Sequence, residues 1–309
     1  MRVLVTGGTG YLGRAVVHAL AGRGHSPVVF ARSASASGLP GRLIDGDVRD
    51  AAAFATAAID CDAICHLAAM VSLWQPRAAD FDEVNVGGLR NAIAVAERAR
   101  VAKLVYTSSF LARPPAGRAV AMSANDYQRT KVLADALAGE AASRSVPIVR
   151  LYPGVIYGPG RQTEGNLIGR LVRDHLAGKL PGLVGADQPW SYAWIEDVAN
   201  AHVTALERAA PGSSYVVGGI NAPQAKVFEI VRQITSRPLP RNIPFALASA
   251  AGWMSDVGAA WFGAPPLLTL GAVRIFREDW SLDSSDAVRD LGHQIRPLEQ
   301  GVAELVASL

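Results

Sequence analysis

The stretch Arg2-Val3-Leu4-Val5-Thr6-Gly7-Gly8-Thr9-Gly10-Tyr11-Leu12-Gly13 decides the fold. Residues 2–6 form a short apolar strand. Gly8 to Gly13 then spell G-x-G-x-x-G, and Gly7 adds a G-x-x-G-x-x-G register. In a chain with 30 glycines the letters alone carry little, and an ordinary glycine-rich turn is the competing reading. Placed after a strand and at the opening of a helix, they read as a dinucleotide-binding turn. The early glycines, Gly7 and Gly10, allow a tight turn and close approach of a pyrophosphate. Tyr11 and Leu12 begin a helix whose N-terminus receives negative charge, and Gly13 lets that helix pack on the strand.

Working outward, short apolar runs alternate with helical stretches through the first half of the chain. The strands fall at 2–6, 27–31, 43–46, 63–67, 103–108 and 147–152, and the helices at about 11–23, 50–58, 78–100 and 124–144. Runs such as Val3-Leu4-Val5 and Val28-Val29-Phe30 are continuously apolar, as strands covered on both faces are. The expected class is α/β, a doubly wound parallel Rossmann sheet with a smaller C-terminal substrate-binding region. After Pro153 the rhythm breaks, and Gly, Pro and aromatic residues become frequent. Residues 1–153 plus about 190–218 are therefore expected to bind NAD(P), with a strand at 214–217 returning to the main sheet. Residues from about 154 to 189 plus 219–309 are expected to shape the substrate region.

Composition bounds the partners. Half of the 309 residues are apolar and 18% are charged, which fits a folded enzyme and not a disordered chain. The net charge is +3, with no basic run of five, so neither nucleic acid nor a membrane is expected as a partner. No stretch of 18 residues is continuously apolar. Met1 runs directly into a strand, which leaves no room for a targeting segment, and a cytoplasmic protein is expected. Cys61 and Cys65 match neither a zinc nor a redox spacing and read as small buried residues.

At the end of the second strand, Ala31 stands where an NAD-specific site carries a carboxylate, and Arg32 follows. A guanidinium there suits a 2′-phosphate, so NADP(H) is favoured over NAD(H), a solvated strand-end arginine being the alternative. Asp47 and Val48 follow the third strand, placed for the adenine edge, although Asp47 is equally suited to capping a helix. Tyr127 and Lys131 lie at i and i+4 on one helix face. A tyrosine is a poor base at neutral pH, and a neighbouring ammonium and a cationic nicotinamide both favour its phenolate. Thr107-Ser108-Ser109 ends the fifth strand, and a serine there can bond a substrate oxygen. Lone Y-x-x-x-K pairs are common surface features. With only four lysines in the chain, coincidence with the serines is less plausible.

These segments resemble, in order and over nearly the whole chain, the extended short-chain dehydrogenase/reductases. They are Thr6 to Gly13, Asp45-Gly46-Asp47-Val48, His66-Leu67-Ala68-Ala69, Asn85-Val86-Gly87-Gly88-Leu89-Arg90-Asn91, Tyr106-Thr107-Ser108-Ser109, Tyr127 with Lys131, Tyr152 to Gly160 and Glu196-Asp197-Val198-Ala199. Ser72-Leu73-Trp74 and Ser108-Ser109-Phe110 make the dihydroflavonol 4-reductase and farnesol dehydrogenase branch the nearest match. The resemblance implies that Ser109 binds the reacting oxygen and Tyr127 exchanges the proton. Lys131 would hold the nicotinamide ribose and lower the Tyr127 pKa. Leu67, Ala68, Ala69, Asn85, Thr107, Pro153 and Val155 would line or support the cofactor, and a homodimer through helices 78–100 and 124–144 is implied. In one departure, 17 residues separate Ser109 from Tyr127, fewer than usual, and an acidic segment is missing, which points to an open pocket.

Substrate candidates are Ser72, Trp74, Phe110, Asn166, Trp190 and Tyr192, although each aromatic is equally suited to the core and Asn166 to a helix start. Residues 243–271 are rich in Ala, Leu, Trp and Phe; walling an apolar substrate pocket and lying against a membrane surface are the functional readings, and a buried helix pair is expected ahead of membrane contact. His66 is expected in the core or cofactor pocket, and no cluster suggests a metal. Hydride transfer between NADP(H) and an alcohol or ketone of a fairly apolar small molecule is the leading expectation. A nucleotide-sugar epimerase or dehydratase with retained NAD(P) is the alternative, and a non-catalytic nucleotide sensor the third reading.

Overall fold

A computed structural model describes residues 1–263 and 265–309. The chain opens with β1 (Arg2–Thr6), α1 (Tyr11–Gly22), β2 (Ser26–Ala31), β3 (Arg42–Asp45), α2 (Ala51–Ala57) and β4 (Ala63–His66). A short α3 (Ala79–Phe81) leads through a π-helical segment (Asp82–Gly87) into α4 (Gly88–Ala99). Then come β5 (Lys103–Thr107), α5 (Asp126–Ser143), β6 (Ile148–Pro153), β7 (Val155–Tyr157), α6 (Leu167–Leu176), β8 (Leu183–Val184) and β9 (Pro189–Trp194). The remainder runs α7 (Ile195–Arg208), β10 (Ser214–Val217), β11 (Ile220–Pro223), α8 (Gln224–Thr235), β12 (Asn242–Ile243), α9 (Phe245–Phe262), α10 (Leu270–Phe276), α11 (Ser285–Leu291) and α12 (Leu298–Ala307).

Seven parallel strands in the order β10-β6-β5-β4-β1-β2-β3 form the main sheet. The order reverses between β1 and β4, the crevice where such sheets bind ligands. One face is covered by α1, α7 and α11, with Val3, Val5, Val16 and Val203 in the seam. The other is covered by α2, α4 and α5, with Leu4, Ile64, Leu104 and Ala134. Burial on both faces explains the unbroken apolar strands. A second three-stranded sheet, β11-β9-β7, carries the C-terminal region with α6, α8 and α12 around Trp194, Phe228 and Leu305. Helix α11, in the stretch assigned to the substrate region, packs on α7 and β10 through Ala287 and Leu291 instead.

Several helix starts are set by side-chain caps, which satisfy otherwise orphaned amides. Asp50 accepts from Ala52 and Ala53, Asn125 from Gln128, and Thr269 from Ala272. Cys61 and Cys65 are unpaired and buried. The expectation for residues 243–271 needs correction. Helix α10 is largely buried, but α9 fully buries only Ala248, Gly252 and Ala259 and leaves all its large apolar side chains except Phe245 exposed. Among the described residues no helix is long and apolar enough to cross a membrane, and no group of acidic, His and Cys side chains could hold a metal ion.

Candidate active site

A cavity of about 1110 Å³ runs along the carboxyl ends of the main strands. Its floor is the glycine turn. Gly7 adopts φ +68°, and a Cβ there would stand 2.7 Å from the Ala68 nitrogen. A Cβ on Gly13 would run into the Gly7 carbonyl. Both positions therefore need glycine. The bare backbone between them leaves the wall open for a pyrophosphate, and this cradle fits the dinucleotide that the motif implies. Gly10, Tyr11, Leu12, Leu67, Ala68 and Ala69 line it as expected. The Tyr11 hydroxyl donates to the Gly158 carbonyl at 2.9 Å, tying α1 to the segment after β7.

At the β2 end, Arg32 is exposed on the cavity wall beside Ser33 and Ser37. The sequence reading missed Arg14, the residue directly after the third glycine. Its guanidinium donates to the Ser37 carbonyl at 3.1 Å, and its Nε is buried with no partner. A buried donor without an acceptor is a cost that an anionic ligand would remove. Asp47 lines the same end. Hydrogen bonding from Arg49 holds its carboxyl below the usual range, and it grips that side chain at 2.7 Å. Asp50, not Asp47, caps α2. Val48 is buried and lines the wall.

Ser109, Tyr127 and Lys131 meet at the middle of the cavity with Thr107, Pro153 and Val155. Lys131 is almost wholly buried, and its Nζ donates to the Thr107 carbonyl at 3.1 Å. That ammonium lies 6.0 Å from the Tyr127 ring centroid. Burial pushes the Tyr127 phenol up to about 12, partly countered by a hydrogen bond with Ser109. Burial lowers Lys131 to about 8, with the Asp135 charge acting the other way. In the protein alone, desolvation outweighs the lowering of Tyr127 expected from Lys131. The site therefore presents a protonated phenol at neutral pH.

Behind these three side chains stands a supporting layer that sequence reasoning mostly missed. The His202 Nδ1–H donates to the Val198 carbonyl at 2.8 Å, which leaves Nε2 to accept from the Thr107 hydroxyl at 2.8 Å. Asp135 accepts from the Ser108 and Tyr152 hydroxyls, each at 3.1 Å. Gln128 is fully buried and donates to the Leu111 carbonyl at 3.2 Å, fixing the turn after Ser109 on α5. Asn85 does not line the cavity. From the π-helical segment it accepts from Met70 N at 2.7 Å and donates to Thr130 Oγ1 at 2.9 Å, which holds the loop after β4 against α5. His66 is packed between Phe54 and Tyr106, away from the cavity lining, so it belongs to the core.

Of the substrate candidates, Ser72, Phe110 and Trp190 line the cavity, whereas Trp74, Asn166 and Tyr192 do not. Asn166 caps α6 through Gly169 N at 3.1 Å. Tyr192 is buried edge-on to Tyr157. The Trp74 nitrogen bonds the Ser72 hydroxyl at 3.3 Å, which closes a turn. Trp190 stacks on Phe276 at 5.2 Å, a partner the sequence did not reveal because α10 lies some 80 residues further on. The short segment after Ser109 is anchored at Ala116 N to the Asp279 carbonyl at 2.9 Å, and Arg118 pairs with Glu278.

A glycine cradle at the switch point, together with a serine, a tyrosine and a lysine at one cavity, defines a nicotinamide-dependent Rossmann enzyme of the short-chain type. The chain belongs to the NAD dependent epimerase/dehydratase family, whose model matches residues 3–218. It is 28% identical to a 2-alkyl-3-oxoalkanoate reductase of Stenotrophomonas maltophilia, over 100% of this chain and 99% of that one. It is also 28% identical to sterol demethylase protein B of Methylococcus capsulatus, over 94% and 93% of the two chains. The crystal structure of gox2253 superposes with a TM-score of 0.83 at 26% identity, covering 99% of this chain and 97% of that one.

Proposed function

We propose that the protein is an NADP(H)-dependent oxidoreductase that interconverts a ketone and an alcohol on a fairly apolar small molecule. The observation that carries this is the convergence of Ser109, Tyr127 and Lys131 on the cavity floored by the glycine turn. Residues 1–153 and 190–218 would hold the dinucleotide, and most of 154–189 and 219–309 would shape the substrate end. When bound, the nicotinamide supplies or accepts the hydride. The chain's own residues handle the proton. Ser109 donates a hydrogen bond to the carbonyl oxygen, and the Tyr127 hydroxyl passes its proton to that oxygen as the alcohol forms. Lys131, held by the Thr107 carbonyl, stabilises the phenolate left behind. In oxidation the same proton returns to Tyr127.

Arg32, with Arg14 on the same cavity wall, would take the 2′-phosphate of NADP(H). Phe110, Leu111, Trp190, Ile275 and Phe276 give the Tyr127 side an apolar wall, which favours a substrate with little charge. The alkyl chains and the sterol skeleton in the names of the two relatives are apolar groups that would suit that wall. Asn166-Leu167 resembles a diphosphate-binding pair of nucleotide-sugar enzymes, and a retained-cofactor epimerase of nucleotide sugars is weakened because the Asn166 side chain is committed to its cap and to the Gly158 carbonyl. Two unpaired buried cysteines fit a reducing compartment, the cytoplasm. Pairing of two copies through α4 and α5 completes the proposal.

The decisive experiment follows nicotinamide absorbance with NADPH or NADH against apolar ketones, terpenoid and steroid alcohols, and sugar nucleotides. Net NADPH consumption with an apolar ketone is expected. Turnover of a sugar nucleotide without net consumption would overturn the reading in favour of the epimerase. Arg32→Ala should weaken NADPH binding by about 1.5–3 kcal/mol, the cost of one charge-assisted contact, and leave NADH nearly unchanged.

A further inference from the structure

Helix α9 inverts the usual arrangement of a surface helix, which turns its large apolar side chains toward the core. The residues it buries fully are all small: Ala248, Gly252 and Ala259. A Cβ on Gly252 would lie 3.0 Å from Leu270 N, so α9 and α10 pack backbone to backbone. Leu247, Trp253, Met254 and Val257 face outward along the helix. At its C-terminal end Trp261, Phe262 and Leu267 are 80%, 85% and 98% exposed. Contiguous apolar surface of this kind marks an interaction site.

The charge around the patch narrows the partner. From Ser236 to Arg277 the chain carries Arg237, Arg241, Arg274 and Arg277 against a single acidic residue, Asp256. Asp256 is turned to the protein, accepting from Leu270 N at 2.9 Å. This segment alone holds a surplus equal to the formal net charge of +3 of the whole chain. Arg241 precedes α9 and Arg274 and Arg277 lie on or just after the α10 packed against it, all exposed, with the Arg277 guanidinium 4.9 Å from the Phe245 ring at the start of α9. Exposed aromatic side chains along α9 with cations on the adjoining segments match the chemistry of an anionic lipid surface, where aromatic rings enter the interface and cations meet the headgroups.

We propose that α9, with the exposed Leu267 beyond it, docks on an anionic phospholipid surface. The location gives that docking a use. Helix α10, packed on α9, lines the cavity with Ala272, Ile275 and Phe276, and its Gly271 sits against the Ala124 backbone just before the helix that carries Tyr127. Docking sets the substrate end of the cavity close to the lipid, a route for apolar molecules that partition there. That use rests on the proposed apolar substrate, whereas the docking does not. The composition alone had set membrane contact aside for a buried helix pair, and the burial of α9 is the part that fails.

The test is flotation of the full chain with vesicles of phosphatidylcholine alone and of phosphatidylcholine with phosphatidylglycerol. Binding to the anionic vesicles, weakened by salt, is expected. The combined Trp261→Ser, Phe262→Ser and Leu267→Ser variant should bind at least about a hundredfold more weakly. Arg241→Glu with Arg274→Glu should remove the preference for anionic lipid. Thermal midpoint and NADPH binding, measured on every variant, verify that each folds. No flotation with anionic vesicles, or undiminished flotation of the triple variant, overturns the proposal. Loss of self-association in the triple variant without any vesicle binding would assign the face to a second copy and also overturn it. Flotation without activity on any apolar carbonyl would refute the proposed reaction and leave the docking intact.

Discussion

Tyr127 owes its chemistry to two opposed effects. Burial pushes its hydroxyl up to about 12, so the residue reaches neutral pH as a proton donor. The Lys131 ammonium, 6.0 Å from its ring, offsets the cost of the phenolate only once the proton has left. Tyr127→Phe keeps the ring and removes the donor, so kcat should fall by roughly 10²–10⁴-fold with cofactor affinity unchanged. Ser109→Ala should lower kcat with little effect on cofactor affinity, because its proposed partner is the substrate oxygen. Lys131→Ala should reduce both. The pH profile separates the two ionisations. Lys131 is lowered to about 8 by burial, so it is charged below that pH and loses its charge above it. The rate of ketone reduction should therefore fall on the alkaline side near pH 8, and Lys131→Arg should move that limb upward. Stopped-flow rates and cofactor titrations measure all of these. A Tyr127→Phe enzyme that kept most of its kcat would remove Tyr127 from the role of acid.

Strand β5 and helices α5 and α7 are joined by a chain of bonds that needs a neutral histidine. His202 donates to Val198 in α7 and accepts from Thr107 at the end of β5, and the Thr107 carbonyl takes the Lys131 ammonium. Desolvation by burial lowers His202 to about 4 and His66 to about 3. Both folded values lie below the usual histidine value, so the unfolded chain binds protons first as pH falls. Stability should be full above pH ~6.5 and drop as pH falls toward 4, by on the order of 3 kcal/mol for each histidine. Denaturant midpoints between pH 7 and 4.5 check this, and His202→Gln should flatten the slope by about one proton. A slope unchanged in that variant would show that His202 does not carry the effect. Little of this supporting layer was legible in the sequence. The strands were, because burial on both faces writes continuous apolar runs such as Leu4 to Val5 and Val28 to Phe30, and β10 lies at 214–217 as expected. The glycine turn and the Tyr127–Lys131 pair, which the structure brings to one cavity, were legible because each proposed role demands fixed local spacing. Asn85, Asp135, His202 and Arg14 act through partners distant in sequence or through one buried atom, and only Asn85 fell within a recognised segment. The π-helical register at 82–87 leaves no mark in residue types. Helix α9 misled because Ala and Gly line one side and Trp, Met and Phe the other. Composition alone does not tell which side meets the protein.

On the scale of the molecule, two surfaces remain to be accounted for, and they lie on different elements. The α9 face belongs to the C-terminal region. The other is formed by α4 and α5, which pack side by side over the main sheet. On α5, Ala134, Ala138 and Ala141 are buried against the sheet, whereas Leu133 is 47% exposed, with Ala136 also exposed and Val132 and Leu137 half-buried. Small and apolar residues on the outward side let two copies bring their helix pairs together in a four-helix packing. A dimer of about twice the 32.5 kDa chain mass is therefore expected by light scattering at micromolar concentration. Leu133→Arg places a charge where the two copies would meet, so it should yield the monomer while thermal stability of the single chain changes little. The α9 variants should leave the dimer intact. Conversely, the Leu133→Arg monomer should still float with anionic vesicles, at lower apparent affinity because one docking face replaces two. A wild-type protein of monomeric mass would remove the α4–α5 pairing, and equal flotation by monomer and dimer would show that a single α9 face engages the lipid at a time.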